Sequence, residues 1–226
     1  AIDSTLGADN GIGCSYMIAL MYENFDGEFL FTSDEEIGLI GANGLNLPIN
    51  SKYMLNLDSE EEGKICIGCA GGVDIIAKNS NKKIVPNIEN LDLYEISISN
   101  LQGGHSGVDI DKNIPNAIKL IVKAIKECEG KLLDINGGER INSIPVNVKA
   151  IIASATTPIA SHENMLIEKI EAKSEHLNVF DDKVIDCICD FQNGVRAMNE
   201  ELKVVQTSIN IAIIKTDVNG IKIELS

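Results

Sequence analysis

Acidic residues in the first 60 positions have the types and the spacing of metal ligands. They stand just before a predicted helix or directly after a predicted strand, at Asp9, Asp34, Glu35, Glu36 and Asp58. In an α/β fold these places lie at the carboxyl edge of a parallel sheet, where such folds build their sites. Carboxylates that are brought together raise one another's pKa unless a cation joins them, so the pattern points to a bound metal.

Adjacent Glu35 and Glu36 suit a division of labour at such a metal. One carboxylate can bind the ion while the other moves a proton of a metal-bound water. The same acidic positions also suit solvated side chains that stabilise helix N-termini through the helix dipole. The residues alone leave both interpretations open.

A partial parallel sheet is predicted to position these acids in residues 1–72. Apolar residues at helical spacing from Ile12 to Leu20 predict a helix. Short apolar runs at residues 28–32 and 53–57 predict buried strands, and residues 37–45 return to a helical pattern broken by glycines. Strands that alternate with helices indicate an α/β domain with a parallel sheet.

Residues 73–226 show a different pattern. Strands are predicted at residues 94–98, 131–135, 146–152, 184–191 and 205–213, with one helix opened by Pro115 and another from Ser161 to about residue 177. Asn219-Gly220 then predicts a hairpin into a last strand. The order βαββαβ is that of an antiparallel α+β domain with split βαβ units.

The composition of the chain excludes several classes of function. Its 226 residues carry a formal net charge of −15 and no cluster of Lys and Arg, so we expect no nucleic-acid partner. No apolar run reaches the roughly 18 residues of a membrane span, and we expect no membrane partner. Six cysteines in a chain of this length do not make a disulfide scaffold, which predicts reduced thiols and a cytoplasmic location.

Six motifs, taken in chain order, resemble those of the di-zinc exopeptidases. Three contain the acids: Thr5-Leu6-Gly7-Ala8-Asp9-Asn10-Gly11-Ile12-Gly13, Ser33-Asp34-Glu35-Glu36-Ile37-Gly38 and Leu57-Asp58-Ser59-Glu60-Glu61-Glu62-Gly63. The others are Gly68-Cys69-Ala70-Gly71-Gly72-Val73-Asp74, Gly103-Gly104-His105-Ser106-Gly107, and Asn136-Gly137-Gly138 followed by Asn142-Ser143-Ile144-Pro145. Together with the triple Glu after Asp58, these last three are similar to motifs of the aminoacyl-histidine dipeptidases. The resemblance covers essentially the whole chain.

The resemblance implies a catalytic site with two zinc ions in residues 1–72. Asp9 would bridge the two ions, and Glu36 and Asp58 would each bind one of them. Glu35 would be the general base that activates the bridging water, and a cis peptide bond would join Asp9 to Asn10. Manganese or cobalt in place of zinc stays open.

The resemblance also implies that residues 73–226 form a lid and dimerisation domain, through which two copies of the chain make a homodimer. His105 would bind the substrate and stabilise the tetrahedral oxyanion. Asn142 would hold the terminal carboxylate of the substrate. The implied reaction is the hydrolysis of small dipeptides of the Xaa-His type by a metallopeptidase.

Two histidine ligands of this superfamily have no counterpart in the chain. The His-x-Asp motif expected before Asp9 is missing, and so is a late histidine after the lid. We therefore expect the chain to be an internal fragment that has no peptidase activity by itself. Three alternatives stay open: a related di-metal tripeptidase, an acyl-amino-acid amidohydrolase, and a non-catalytic dimerisation module.

Overall fold

The computed structural model of the chain describes residues 2, 6–35, 37–59, 62–69, 71–80, 82–85, 90–171 and 177–226. The chain divides into two compact units, Ala1–Cys69 and Ala70–Ser226. Within the described ranges, no helix has the length and the apolar character needed to cross a membrane. The catalytic and lid roles that the sequence predicts for residues 1–72 and 73–226 stay predictions.

The first unit contains helices α1 (Ala8–Tyr22) and α2 (Ile40–Asn43). The helix predicted near the start of the chain is therefore confirmed. Its apolar side chains are not covered, since Ile12 and Tyr16 are more than half exposed. Among the residues of α1, all of which the structure describes, only Gly13 is buried.

The two strands predicted in the first unit are wrong. Residues 28–32 and 53–57 have no strand pairing, and none of the described residues between 2 and 69 lies in a β-strand. A strand is stable only when its backbone groups pair with a neighbour and one face is covered. Here the side chains remain in solvent, with Tyr53 91% and Leu55 85% exposed. The residues described in this unit therefore do not form the predicted parallel sheet.

The second unit is built on one large antiparallel sheet. Its strands are β1 (Ile75–Asn79), β2 (Lys82–Val85), β3 (Asp92–Ile98), β4 (Gly104–His105), β5 (Lys131–Gly137), β6 (Ser143–Ile144), β7 (Val148–Ser154), β8 (Met165–Ile170), β9 (Leu177–Phe180), β10 (Gly194–Asn199), β11 (Val204–Ile209), β12 (Ile211–Asp217) and β13 (Gly220–Leu225). The large sheet has the order β1-β13-β12-β5-β7-β3-β8, while β10-β11, β2-β9 and β4-β6 pair separately. A short 3₁₀ turn spans Ile110–Lys112.

Two helices, α3 (Ala117–Glu127) and α4 (Asp182–Asp190), connect strands of this sheet. β3 and β5 are both antiparallel to β7, which lies between them, so they run in the same direction and are joined through α3. β7 and β12 flank β5 in the same way, and the chain between them runs through β8, β9, α4, β10 and β11. The α+β class predicted for this part of the chain is confirmed at this coarse level.

Aliphatic side chains between the sheet and the two helices form the core. On α3 they recur at helical spacing, at Ile118, Ile121, Val122 and Ile125, and all four are fully buried. α4 and the strands supply the other side of the core, with Val184, Ile185, Ile188, Ile96, Ile98, Ile135, Ile152 and Ile214. Each such side chain contributes about 1.5–3 kcal/mol through burial.

A lysine joins the two helices. Asn116 caps the start of α3, where its side-chain oxygen accepts a hydrogen bond from the Lys119 N–H. The Lys119 ammonium then reaches across and donates to the carbonyls of Ile188, Cys189 and Phe191 at 2.6–2.8 Å. Because the last carbonyls of a helix have no partner within it, this ammonium acts as the C-terminal cap of α4.

Two predicted elements of the second unit are wrong: a predicted helix is replaced by strands, and a predicted strand is a helix. The helix expected from Ser161 to about residue 177 is replaced by β8 and β9, because β8 completes the free side of β3 and pairs Ile167 with Ile96. The strand expected at 184–191 is α4, whose first turn is capped by the Asp181 carboxylate accepting from the Lys183 N–H.

The long strand predicted at residues 205–213 divides at Asn210. The residues before it form β11 and pair with β10, whereas those after it form β12 in the large sheet. The predicted hairpin at Asn219-Gly220 is confirmed, with Asp217 opposite Gly220 between β12 and β13.

Candidate active site

Asp9 lies at the entrance to α1, where the backbone is not helical. Asp9 and Asn10 have φ, ψ of −94°, 108° and −108°, 42°, and the peptide bond between them is cis, as the resemblance predicts. The Asn10 side chain accepts a hydrogen bond from the Gly13 N–H at 3.0 Å and so caps the helix. A Cβ on Gly13 would collide with the Asn10 side chain, which explains the glycine at this position.

Backbone hydrogen bonds fold the segment that carries Glu35. Its carbonyl accepts from the N–H groups of Gly38 and Leu39 at 3.2 and 3.0 Å, and the carbonyl of Asp34 accepts from Ile40 at 3.2 Å. The Glu35 side chain is exposed. Glu36, the neighbouring predicted ligand, lies outside the described residues.

Asp58 does not follow a strand, and residues 53–59 have no regular secondary structure. Its N–H donates to the Asn56 side-chain oxygen at 3.3 Å, and the residue is exposed. Asp9, Glu35 and Asp58 thus each stand in a locally shaped segment of the first unit. These shapes come from hydrogen bonds close in sequence and not from a sheet edge.

The described residues do not make a complete zinc site. Among them, no three His, Cys, Asp or Glu side chains form a group that could hold a metal ion. Zinc sites take about four donors each, with histidine prominent, and the predicted ligands of this chain are three carboxylates. Asp9, Glu36 and Asp58 remain predicted ligands that need further donors.

In the second unit the structure brings together two predicted substrate-binding residues. His105 lies in β4, opposite Ser143 in β6, and Asn142 directly precedes that strand. The Ser106 N–H donates to the Asn142 carbonyl at 2.8 Å, which extends the pairing by one step. Both His105 and Asn142 are exposed at this edge.

The ring of His105 is oriented by its own loop. Its Nδ1 accepts a hydrogen bond from the Gly107 N–H at 3.0 Å. In the neutral imidazole the proton is therefore assigned to Nε2, which gives the ring an N–H donor. Such a donor is the group needed to stabilise a developing oxyanion.

Asp109 fixes the backbone of the histidine, and sequence reasoning missed it. Its carboxylate accepts from the His105 N–H at 2.7 Å and forms an ion pair with the Lys112 ammonium at 2.6 Å. The hydrogen bond from Lys112, and after it that from the His105 N–H, lowers the pKa of the Asp109 carboxyl below its usual range. The sequence signal that could have identified Asp109 is an acidic residue four positions after a histidine in a glycine-rich loop.

The remaining histidines are separate from this arrangement. His162 lies in the turn before β8, where its Nδ1 accepts from the Asn164 N–H at 3.1 Å. His176 lies outside the described residues. Neither residue was predicted to have a catalytic role.

Two dipeptidases are similar to the chain. No protein-family model matches it. It is 31% identical to the cytosol non-specific dipeptidase of Escherichia coli (strain K12), across 97% of this chain and 52% of that protein. The predicted resemblance is confirmed. The crystal structure of aminoacylhistidine dipeptidase from Vibrio alginolyticus matches with a TM-score of 0.70 and 27% identity, over 98% of this chain and 52% of that one. The chain thus spans about half the length of either dipeptidase.

Proposed function

We propose that these 226 residues are part of a cytoplasmic metallopeptidase that hydrolyses dipeptides, including those of the Xaa-His type. The observation that carries the proposal is the match to two dipeptidases across nearly the whole chain. The name of one relative, a non-specific dipeptidase, favours a broad choice of dipeptides over Xaa-His alone. The name of that relative also supports the cytoplasmic location.

Three carboxylates are proposed as metal ligands and a fourth as the general base. Asp9, Glu36 and Asp58 would bind two zinc ions together with donors that this chain does not supply. Glu35 would take a proton from the attacking water, a role that suits an exposed carboxylate held in place by its backbone.

His105 and Asn142 are proposed to bind the substrate. An Nε2 donor on His105 suits the oxyanion of the tetrahedral intermediate, and an exposed amide on Asn142 suits the terminal carboxylate of a dipeptide. The β4–β6 pairing holds His105 in β4 opposite Ser143, the residue that directly follows Asn142. Association of two copies through the second unit belongs to the same proposal.

The test compares the 226-residue chain with a longer dipeptidase chain that contains it. Both are assayed with zinc or manganese on Xaa-His dipeptides, other dipeptides, a tripeptide and an acyl-amino acid. We expect the longer chain to hydrolyse dipeptides and to stop when a chelator removes its metal, and the 226-residue chain to be inactive. A longer chain that holds metal and leaves every dipeptide intact would refute the proposal.

Variants of the longer chain test the assigned roles. Glu35→Gln and His105→Ala should each lower kcat by roughly 10²–10⁴-fold, as expected for loss of a general base or an oxyanion donor. His162→Ala is the matched control, because that histidine bonds only its own turn in the described structure, and it should leave kcat unchanged. An equal loss in the control would contradict the assignment of His105.

A further inference from the structure

A buried pair of asparagines lies behind the segment that carries His105 and Asn142. Asn116 is 6% exposed and Asn210 is 1% exposed, although both side chains are polar. The Asn116 amide donates to the Asn210 side-chain oxygen at 3.1 Å and to the Ile211 carbonyl at 2.8 Å. Buried amides are costly unless they are hydrogen bonded, so a pair this well satisfied has a defined structural task.

The Asn210 amide connects this pair to the exposed edge. It donates to the Ser143 carbonyl at 2.8 Å, and Ser143 is the residue of β6 that pairs with His105. A second bond holds the same segment from α3, since the Ala117 N–H donates to the Pro145 carbonyl at 3.1 Å. The short strand that follows Asn142 is therefore hydrogen bonded to the core at its first residue, Ser143, and at the residue just after it, Pro145.

The loop after His105 is fixed from the same place. The Ser106 N–H binds the Asn142 carbonyl, and the Ser106 hydroxyl lies 3.1 Å from the hydroxyl of Ser226. Ser226 in turn exchanges backbone hydrogen bonds of 2.8 and 3.1 Å with Asn210. Asn210 thus reaches the site by two routes, one through Ser143 and one through Ser226.

We infer that Asn210 is a positioning residue that holds His105 and Asn142 in register at the candidate site. The position of Asn210 supports the inference, because it lies between β11 and β12 and its buried amide reaches the Ser143 carbonyl of β6. The consequence for catalysis rests on the proposed function. The structural part of the inference does not, because it concerns only contacts within the second unit.

Amide hydrogen exchange in the 226-residue chain tests the structural part. Asn210→Ala removes both side-chain bonds, and Asn210→Ser keeps a hydroxyl near Asn116 but is too short to reach Ser143. Both variants should speed the exchange of the Ser106 N–H by about ten-fold or more, because the loop opens locally. Unchanged exchange in a folded variant would overturn the inference.

Ser154→Ala is the control variant for this experiment. Ser154 is 1% exposed and donates to the Cys128 carbonyl at 2.8 Å, so its loss also removes a buried hydrogen bond. Cys128 is at the end of α3 opposite to Asn116, which places this bond far from β6. Exchange of the Ser106 N–H should not change, and an equal acceleration would mean that any core defect loosens the loop.

Kinetics of the longer dipeptidase chain test the catalytic part. Asn210→Ala should raise KM and lower kcat together, by about 10²-fold in kcat/KM, since a small displacement of positioned groups is costly. Ser154→Ala should leave KM unchanged. Faster exchange without any change in KM or kcat would overturn the positioning role. An inactive wild-type chain would refute the proposed function instead, and the exchange experiment would then decide the inference by itself.

Discussion

The two units of the chain contain similar apolar residues but bury them very differently. In the second unit α3 lies against a sheet, and Ile118, Ile121 and Ile125 are fully buried. In the first unit α1 has an apolar run of similar length, yet Ile12 and Tyr16 are more than half exposed. Apolar side chains on a helix therefore add the stabilisation of burial only where a second layer covers them.

Different forces also give the two units their local shape. The second unit depends on its aliphatic core, whereas hydrogen bonds close in sequence shape the segments of the first unit that carry Asn10 and Glu35. Such bonds need few residues and no sheet. This is why the predicted ligand Asp9 has a defined backbone although the predicted parallel sheet is missing from the residues described.

The largest expected effect is a difference in stability between the same substitution in α3 and in α1. Ile121→Ala in α3 should lower the free energy of unfolding of the 226-residue chain by about 2–5 kcal/mol, because it leaves a cavity in the core. The same change at Ile12 in α1 should stay within about 0.5 kcal/mol, since that side chain is 56% exposed. Urea unfolding followed by circular dichroism measures both.

A large loss for Ile12→Ala would break the comparison. It would mean that α1 has a covered face in solution and that the first unit has a hydrophobic core of its own. Equal small losses at both positions would instead contradict the burial of α3.

The fold could be predicted where periodicity and a strong local signal agree. The helix after Pro115 and the hairpin at Gly220 combine a regular apolar pattern with a capping or turn residue, and the strand around Ile96 has a strict apolar alternation. The exchange of types at β8 and α4 shows the limit. The apolar spacing of Val184, Ile185 and Ile188 fits a helix as well as a short strand, and the contacts of α4 with α3 decide the matter.

An intermediate effect is expected at the lysine that joins α3 and α4. Lys119→Met removes three hydrogen bonds to carbonyls at the end of α4 and should cost about 1–2 kcal/mol of unfolding free energy. Burial lowers the pKa of the Lys119 ammonium, so the substitution also relieves the cost of burying a charge, which keeps the loss moderate.

Lys123→Met in the same helix is the matched control for Lys119. Its ammonium is 3.8 Å from Glu127, both side chains are mostly exposed, and exposed pairs contribute about 0–1 kcal/mol. Urea unfolding should give a lower free energy of unfolding for Lys119→Met than for Lys123→Met. A Lys119 variant as stable as the Lys123 variant would show that the cap of α4 is dispensable.

The candidate site could be predicted only as a set of motifs. The resemblance predicted Asp9, Glu35, His105 and Asn142 as site residues and also predicted the cis bond, but the contacts around these residues have no periodic signal. β4 and β6 have two residues each, too few for any pattern, and Asn210 is 67 residues from the Ser143 carbonyl that it binds. Such long-range side-chain bonds depend on the finished sheet, which is why sequence reasoning missed them.

The smallest expected effect concerns one carboxylate of the first unit. Glu28 accepts hydrogen bonds from the Ser51 hydroxyl at 2.6 Å and from the N–H groups of Asn50 and Ser51 at 3.0 and 2.7 Å. These bonds, led by that from the Ser51 hydroxyl, lower the pKa of Glu28 from 4.5 to about 2. The lowered pKa means that the contact stabilises the unit above pH 4.5 and is lost as the pH falls through about 2.

Carbon-detected NMR titration of the Glu28 carboxyl measures this effect. Ser51→Ala should move the pKa of Glu28 upward toward 4.5, because it removes the bond that lowers this pKa most. Ser33→Ala is the control: the Ser33 hydroxyl donates to Asp34 and not to Glu28, so the pKa of Glu28 should stay near 2. The unfolding of the second unit should not change in either variant, since Glu28 is exposed and bonds only within its own unit. If Ser51→Ala also destabilised the second unit, the contrast between a hydrogen-bonded unit and a core-packed unit would have to be abandoned.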